Sequence, residues 1–241
     1  MLEISRLPDK AAVIEAARQD LVAHLTRCHE AGKDVLLCLS GGSALDLVAQ
    51  GFPDSILGPQ VTITVLDERY THDPAVSNFA QLERIGFVET ARQAGCQIID
   101  TRVTVPNESR EQLARRYEAG LRDWVQAHPE GEIVATIGMG PDGHTAGLIP
   151  SAENFATTFA DTAAWVVGYH VATQPEPQRE RVTTTFAFLG LVTYGVLVMM
   201  GEEKRAALSA LTAEVGDKFV TPARIWRTSP GQIHGYTDIA V

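Results

Sequence analysis

Gly138-Met139-Gly140-Pro141-Asp142-Gly143-His144-Thr145 holds the residues of this chain best suited to chemistry. Three glycines and a proline fix an unusual backbone path around one acid and one imidazole. Asp142 and His144 stand two positions apart in a loop, so both can face one cavity. A neutral imidazole takes a proton from water near neutral pH, and a neighbouring carboxylate orients the ring and stabilises the imidazolium. The plain alternative is a glycine loop carrying a surface histidine. A second segment, Ser40-Gly41-Gly42-Ser43, sits between an apolar run and a helix-like stretch. Glycines admit a ligand close to the backbone, and a helix N-terminus offers free N–H groups to an anion such as phosphate. The segment is neither a Walker loop nor a G-x-G-x-x-G fingerprint. A tight turn with Ser40 as helix cap fits it equally well. Asp67-Glu68-Arg69 closes another apolar run and reads either as a solvated turn or as part of a site. Arg179, Arg181 and Lys204 are ordinary surface cations when taken singly. Together with Arg69 and the glycine turn they can surround one phosphate.

These residues need a scaffold. Residues 35–39, 61–66 and 133–138 are apolar runs of strand length, and 165–169, 182–186, 196–200 and 233–236 are further strand candidates. Ile14, Ala17, Leu21, Leu25 and Cys28 share one helical face. Helical patterns also cover 44–50, 79–85 behind a Ser77-Asn78 cap, 108–127 and 202–211. Alternating strand and helix predicts an α/β fold: a single doubly wound, mostly parallel, Rossmann-like sheet with helices on both faces. No Pro/Gly/Ser linker divides the chain, so residues 1–241 are expected to form one domain. The glycine-rich and charged segments follow the C-terminal ends of strands, the edge that carries the ligand in open α/β sheets.

Composition narrows the function. The formal net charge of −10 argues against a nucleic-acid partner, although a few local cations suffice for a small anion. The three cysteines, Cys28, Cys38 and Cys96, make no C-x-x-C pair, and the seven histidines are scattered. Neither a disulfide framework nor a metal site is expected. The N-terminus lacks a signal-peptide pattern, and the longest apolar run, 195–201, is too short for a bilayer. The reading is a cytoplasmic protein with no membrane association and no obligate protein partner. Ser40 and Ser43 lie outside any G-x-S-x-G elbow, which argues against a Ser-His-Asp hydrolase.

Ser40-Gly41-Gly42-Ser43, Asp67-Glu68-Arg69 with Ser77-Asn78, the 138–146 loop, Arg181-Val182-Thr183 and Gly201-Glu202-Glu203-Lys204 follow one another as in a known family. In that order and spacing the chain resembles the 6-phosphogluconolactonases, of the superfamily shared with glucosamine-6-phosphate deaminases. The resemblance covers nearly the whole chain. It implies hydrolysis of 6-phospho-D-glucono-1,5-lactone, a small sugar-phosphate substrate, with no metal or organic cofactor. It makes His144 the general base, with Asp142 in support. Arg69 would line the active site, with Asp67 as a possible second acid. Ser40, Gly41, Gly42, Ser43, Arg181 and Lys204 would hold the 6-phosphate. Ala44-Leu45 replaces the family's frequent Thr-Pro after the glycine turn. Ala146-Gly147-Leu148-Ile149-Pro150 replaces Ala-Ser-Leu-Phe-Pro. The related deaminases carry a Glu five residues after the His, where this chain has Ile149. Two alternatives remain: a deaminase-like isomerase, which needs that extra acid-base group, and a non-catalytic sugar-phosphate-binding module. The latter would normally accompany a DNA-binding segment, and this acidic chain shows none.

Overall fold

The computed structural model describes residues 2–53, 55–160 and 163–240. The strands are β1 (Leu2–Arg6), β2 (Val35–Leu39), β3 (Val61–Val65), β4 (Asp67–Arg69), β5 (Gln97–Ile98), β6 (Glu132–Gly138), β7 (Val166–His170), β8 (Glu180–Thr184), β9 (Tyr194–Met199) and β10 (Gln232–Thr237). Seven of them form one wholly parallel sheet in the spatial order β1-β10-β9-β6-β2-β3-β5. The helices are α1 (Lys10–Glu30), α2 (Asp46–Ala49), α3 (Asn78–Arg84), α4 (Phe87–Gln93), α5 (Arg110–Ala127), α6 (Phe155–Phe159), α7 (Phe186–Leu189), α8 (Arg205–Thr212) and α9 (Ile225–Thr228).

The all-apolar β2 explains the layering. Leu36 and Cys38 enter a core shared with α5, α6, α8 and α9. Val35, Leu37 and Leu39 enter a second core, with α1, α2, α3 and α4. A strand buried on both faces has no room for polar alternation, which is why β2 reads as a continuous apolar run. The Ser77 cap matches its sequence signal, and two further helices are capped locally. Asp9 accepts from Ala12 N at 2.9 Å, Ser77 Oγ accepts from Ala80 N at 3.1 Å, and Ser109 with Gln112 closes a capping box on α5.

Two expected strands leave the parallel sheet. β7 and β8 pair antiparallel with each other, and β8 pairs antiparallel with β4, giving a separate three-stranded sheet β4-β8-β7. The expected strand 61–66 therefore stops at Val65, and the charged triplet starts a new strand in a different sheet. Leu66 is the transfer point. Its N–H donates to Leu39 O at 2.9 Å, and its carbonyl accepts from Thr184 N at 3.0 Å. Residues 185–186 belong to the cap and first turn of α7, not to a strand, because Thr185 Oγ1 accepts from Ala187 N. β1 and β5 were not foreseen. β5 spans two residues, and β1 alternates half-buried with exposed positions at the sheet edge.

From β2 the chain moves outward through β3 and β5, then returns to the other side of β2 as β6 and continues through β9 to β10. The strand order thus reverses between β2 and β6, the switch point at which ligands bind in such sheets.

Candidate active site

β2, β6 and β9 are adjacent, and each ends in a candidate segment. β2 runs into Ser40–Ser43, β6 into the 138–146 loop, and β9 is followed by Lys204 in a short 3-10 turn (Glu202–Lys204). The three segments line one cavity of about 290 Å³. Ser40, Gly41, Gly42, Ser43, Asp67, Arg69, His144, Arg181 and Lys204 all border it. Asp142 stands behind His144.

The loop that carries His144 is fixed at several points. Asp142 Oδ1 lies 2.5 Å from His144 Nδ1 and accepts from the His144 backbone N–H at 3.2 Å. Burial works to raise the Asp142 carboxyl, but the contacts with His144 outweigh it, and the group lies below its ordinary value. Gly140 N donates to His144 O at 2.9 Å. A Cβ on Gly140 would sit 2.1 Å from His144 Cε1, so the imidazole occupies the space a side chain would need. Thr145 Oγ1 donates to Gly138 O at 3.1 Å and accepts from Trp226 Nε1 at 3.0 Å. Gly147 N donates to Thr183 Oγ1 at 2.9 Å, and Ile149 N donates to the Tyr169 hydroxyl at 3.1 Å. That hydroxyl in turn donates to Gly147 O.

The fully buried Trp226 is one of these anchors. Trp226→Phe removes the only indole donor to Thr145 and is expected to destabilise the fold by roughly 1–3 kcal/mol. Urea denaturation of Trp226→Phe, Thr145→Val and the double variant checks the coupling: the double variant is expected to lose less than the sum. Strictly additive losses would refute it.

The opposite wall comes from the small sheet. Arg69 and Arg181 face each other across β4 and β8. Arg181 is buried and donates from Nη1 to Asp67 Oδ2 at 3.3 Å and from Nε to Gln178 O at 2.9 Å. Asn78 Nδ2 donates to Asp67 O at 2.9 Å and to Asp67 Oδ1 at 3.2 Å. Asp67 is therefore tied on both carboxylate oxygens, and Arg181 is shared between the cavity and its own scaffold. Arg69 Nη1 donates to Val76 O at 2.6 Å. Buried Glu68, one residue earlier, points away from the cavity. It accepts from Arg69 N and Asn78 N, each at 2.7 Å, and from Phe79 N and Ser77 Oγ, each at 2.9 Å. Glu68 thus anchors β4 to the first turn of α3, where free N–H groups favour a carboxylate.

The glycine turn is a close approach rather than a cap. A Cβ on Gly41 would lie 2.3 Å from Asn78 Oδ1. The helical turn Gly42–Leu45 has Gly41 as N-cap with no side-chain bond, so Ser40 does not cap it. Instead Ser40 N donates to Thr136 Oγ1 at 3.0 Å. The first N–H groups of such a turn have no acceptor within it. Lys204 has no ion-pair partner among the described residues. Burial lowers its pKa. Arg179 bonds to Gln174 O and Glu176 and does not border the cavity.

Sequence reasoning gave Asn78 no place in the cavity wall, reading Ser77-Asn78 as a helix cap and as part of the family pattern. It also missed Gln174 and Gln178, which border the cavity. The Ser-Asn pair after Asp-Glu-Arg was the available signal for Asn78. Nothing local marks the two glutamines. Among the described residues no group of three or more His, Cys, Asp and Glu side chains is arranged to hold a metal ion. No helix among them is long and apolar enough to cross a membrane.

The sequence model of the family described as glucosamine-6-phosphate isomerases/6-phosphogluconolactonase matches residues 8–234. The chain belongs to this family. Among curated relatives, the human 6-phosphogluconolactonase is 28% identical over 236 residues, covering 93% of this chain and 87% of the relative. That of Mesorhizobium japonicum is 27% identical over 210 residues, covering 86% and 83%. Among solved structures, the 6-phosphogluconolactonase of Leishmania guyanensis superposes with a TM-score of 0.79 at 20% identity, over 98% of this chain and 96% of that one. At that identity the superposition speaks for the fold. Ile149 is a buried apolar residue on the wall of the cavity.

Proposed function

We propose that this chain is a 6-phosphogluconolactonase that hydrolyses 6-phospho-D-glucono-1,5-lactone to 6-phosphogluconate. The observation that supports this reading is a single cavity bordered by His144, with Asp142 behind it, and by the Ser40–Ser43 turn, Arg69, Arg181 and Lys204. In the mechanism, His144 takes a proton from a water, which attacks the C1 carbonyl. Asp142 keeps the ring oriented and stabilises the imidazolium. The C1 oxyanion is stabilised by the nearby guanidinium of Arg69. Collapse breaks the C1–O5 bond, and the imidazolium returns its proton to O5. The Gly41–Ser43 amides and Lys204 hold the 6-phosphate, with Arg181 contributing positive charge from the small-sheet wall. Net charge does not oppose this. Arg69, Arg181 and Lys204 border the cavity against a single acid, Asp67.

A coupled assay tests the reading. Glucose-6-phosphate dehydrogenase generates the lactone, and formation of 6-phosphogluconate is followed with and without this protein. Acceleration over spontaneous hydrolysis is expected, and it is expected to survive exhaustive EDTA treatment, since a lactone ester needs no metal when a base and a cation are in place. A rate no faster than the spontaneous one would refute the function. Loss on chelation with recovery on zinc or manganese would refute the metal-free mechanism.

Ile149 also separates this reading from a deaminase. Ring opening, proton transfer between carbons and amine loss need several tuned acid-base groups. The acids at hand are Asp142, engaged by His144, and Asp67, engaged by Arg181 and Asn78. No ammonia release is expected from glucosamine 6-phosphate at ~1 mM, the upper end of ordinary Michaelis constants. Ammonia at an enzymatic rate would reverse the assignment.

A further inference from the structure

The cavity wall between the small sheet and the His144 loop carries two residues that the mechanism does not use. Gln174 and Gln178 lie in the connection from β7 to β8, and both border the cavity. Their backbone is held firmly. Val171 N donates to Arg179 O at 2.8 Å, Gln174 N to Val171 O at 3.0 Å, and Gln178 N to Pro175 O at 2.8 Å. Each glutamine also has its own carbonyl gripped by an arginine. Arg179 Nε donates to Gln174 O at 2.7 Å, and Arg181 Nε donates to Gln178 O at 2.9 Å. The side-chain amides, by contrast, have no hydrogen-bond partner among the described residues.

A carboxamide offers one acceptor and two donors and no charge. That suits a run of vicinal hydroxyls, each of which both donates and accepts. It suits a phosphate poorly, since a dianion gains most from cations and N–H groups. Of the other neutral polar side chains at the cavity, Ser43 belongs to the glycine turn assigned to the phosphate, and two more are committed or inaccessible. Asn78 Nδ2 is spent on Asp67, and Asn78 Oδ1 and Ser40 Oγ are fully shielded. Resting on the proposed lactonase function, we infer that Gln174 and Gln178 are specificity-determining residues that read the C2–C4 hydroxyls, which the lactone and its open-chain product share. The cations of the cavity serve the phosphate and the C1 oxyanion instead.

Calorimetric titration of the intact protein with two probes, 6-phosphogluconate and inorganic phosphate, tests this. Gln→Leu preserves approximate side-chain shape and removes the amide. Losing a typical hydrogen bond costs ~1 kcal/mol, about fivefold. Gln174→Leu and Gln178→Leu should each weaken 6-phosphogluconate about fivefold, and the double variant roughly 25-fold, with phosphate affinity unchanged. Retained phosphate binding also reports a folded site. Lactonase kcat/KM should fall by the same factors. Unchanged 6-phosphogluconate affinity in the double variant would overturn the inference and leave the function intact. Equal losses for both probes would overturn it too, because the loop would then act on the whole cavity. A wild-type protein that binds neither probe would remove the function along with the inference. Should the double variant unfold, the two single variants carry the same comparison.

Discussion

Replacing His144 by Ala is expected to lower turnover by ~10²–10⁴-fold, the usual contribution of a positioned proton acceptor. The side chain sits on a loop held by bonds that do not involve its ring, such as Thr145 to Gly138 and Trp226 to Thr145. It is also about one-third exposed, so truncation leaves no large buried void. Fold and phosphate binding should therefore survive, and the loss should fall on kcat. Asp142→Asn should cost less, because the ring stays in place but faces an amide instead of a carboxylate. In the native protein the contacts with His144 hold the Asp142 carboxyl below its ordinary value, so it stays anionic throughout the neutral range. Steady-state kinetics with a thermal-melt control are the measurement. Near-native turnover in folded His144→Ala would remove the imidazole from the mechanism.

Lys204→Ala should act on the other kinetic constant. This ammonium is the cavity cation least engaged with the protein, whereas Arg181 is shared with Asp67 and Gln178 and Arg69 with Val76. Truncating a charge-assisted contact costs ~1.5–3 kcal/mol, which is roughly a 10- to 150-fold rise in apparent KM. The pH dependence follows from the sign of the shift. Burial lowers the Lys204 pKa below its ordinary 10.5, so the binding form is the protonated one at neutral pH and is lost as pH rises through that lowered value. Affinity for 6-phosphogluconate should fall on the alkaline side in the native protein, and Lys204→Arg should carry binding to higher pH. Titrations across that range check it. A Lys204→Ala protein with native KM and native product affinity would exclude Lys204 from the phosphate site.

Much of the reacting centre is legible in the sequence because it is local. Asp142 and His144 are two residues apart, and the glycines between and around them set the local path, which distant partners then anchor. Gly140 is the clearest case, since the ring lies where its Cβ would be. The parallel sheet is legible for a similar reason: strands buried on both faces must be largely apolar, and β2 and β9 carry no polar side chain beyond the Tyr194 hydroxyl, while β3 and the buried part of β6 add only threonines. The helix start at Ser77 is readable because a cap bonds within three residues of itself.

The second wall of the cavity is not of that kind. Whether Asp67-Glu68-Arg69 ends one strand or begins another depends on Thr184, 118 residues away, whose N–H and hydroxyl both take the Leu66 carbonyl. The register that sets Arg69 opposite Arg181, the Asp67–Arg181 ion pair, the indole of Trp226 under the His144 loop and the two glutamines at the cavity wall are likewise decided by partners far along the chain. Hydrophobic periodicity reports which face of an element is buried but not what buries it. In this protein the local backbone determines the chemistry that is available. Tertiary packing alone determines which charges meet, because ion-pair and hydrogen-bond energies fall off over a few ångströms while the residues that form them lie a hundred positions apart.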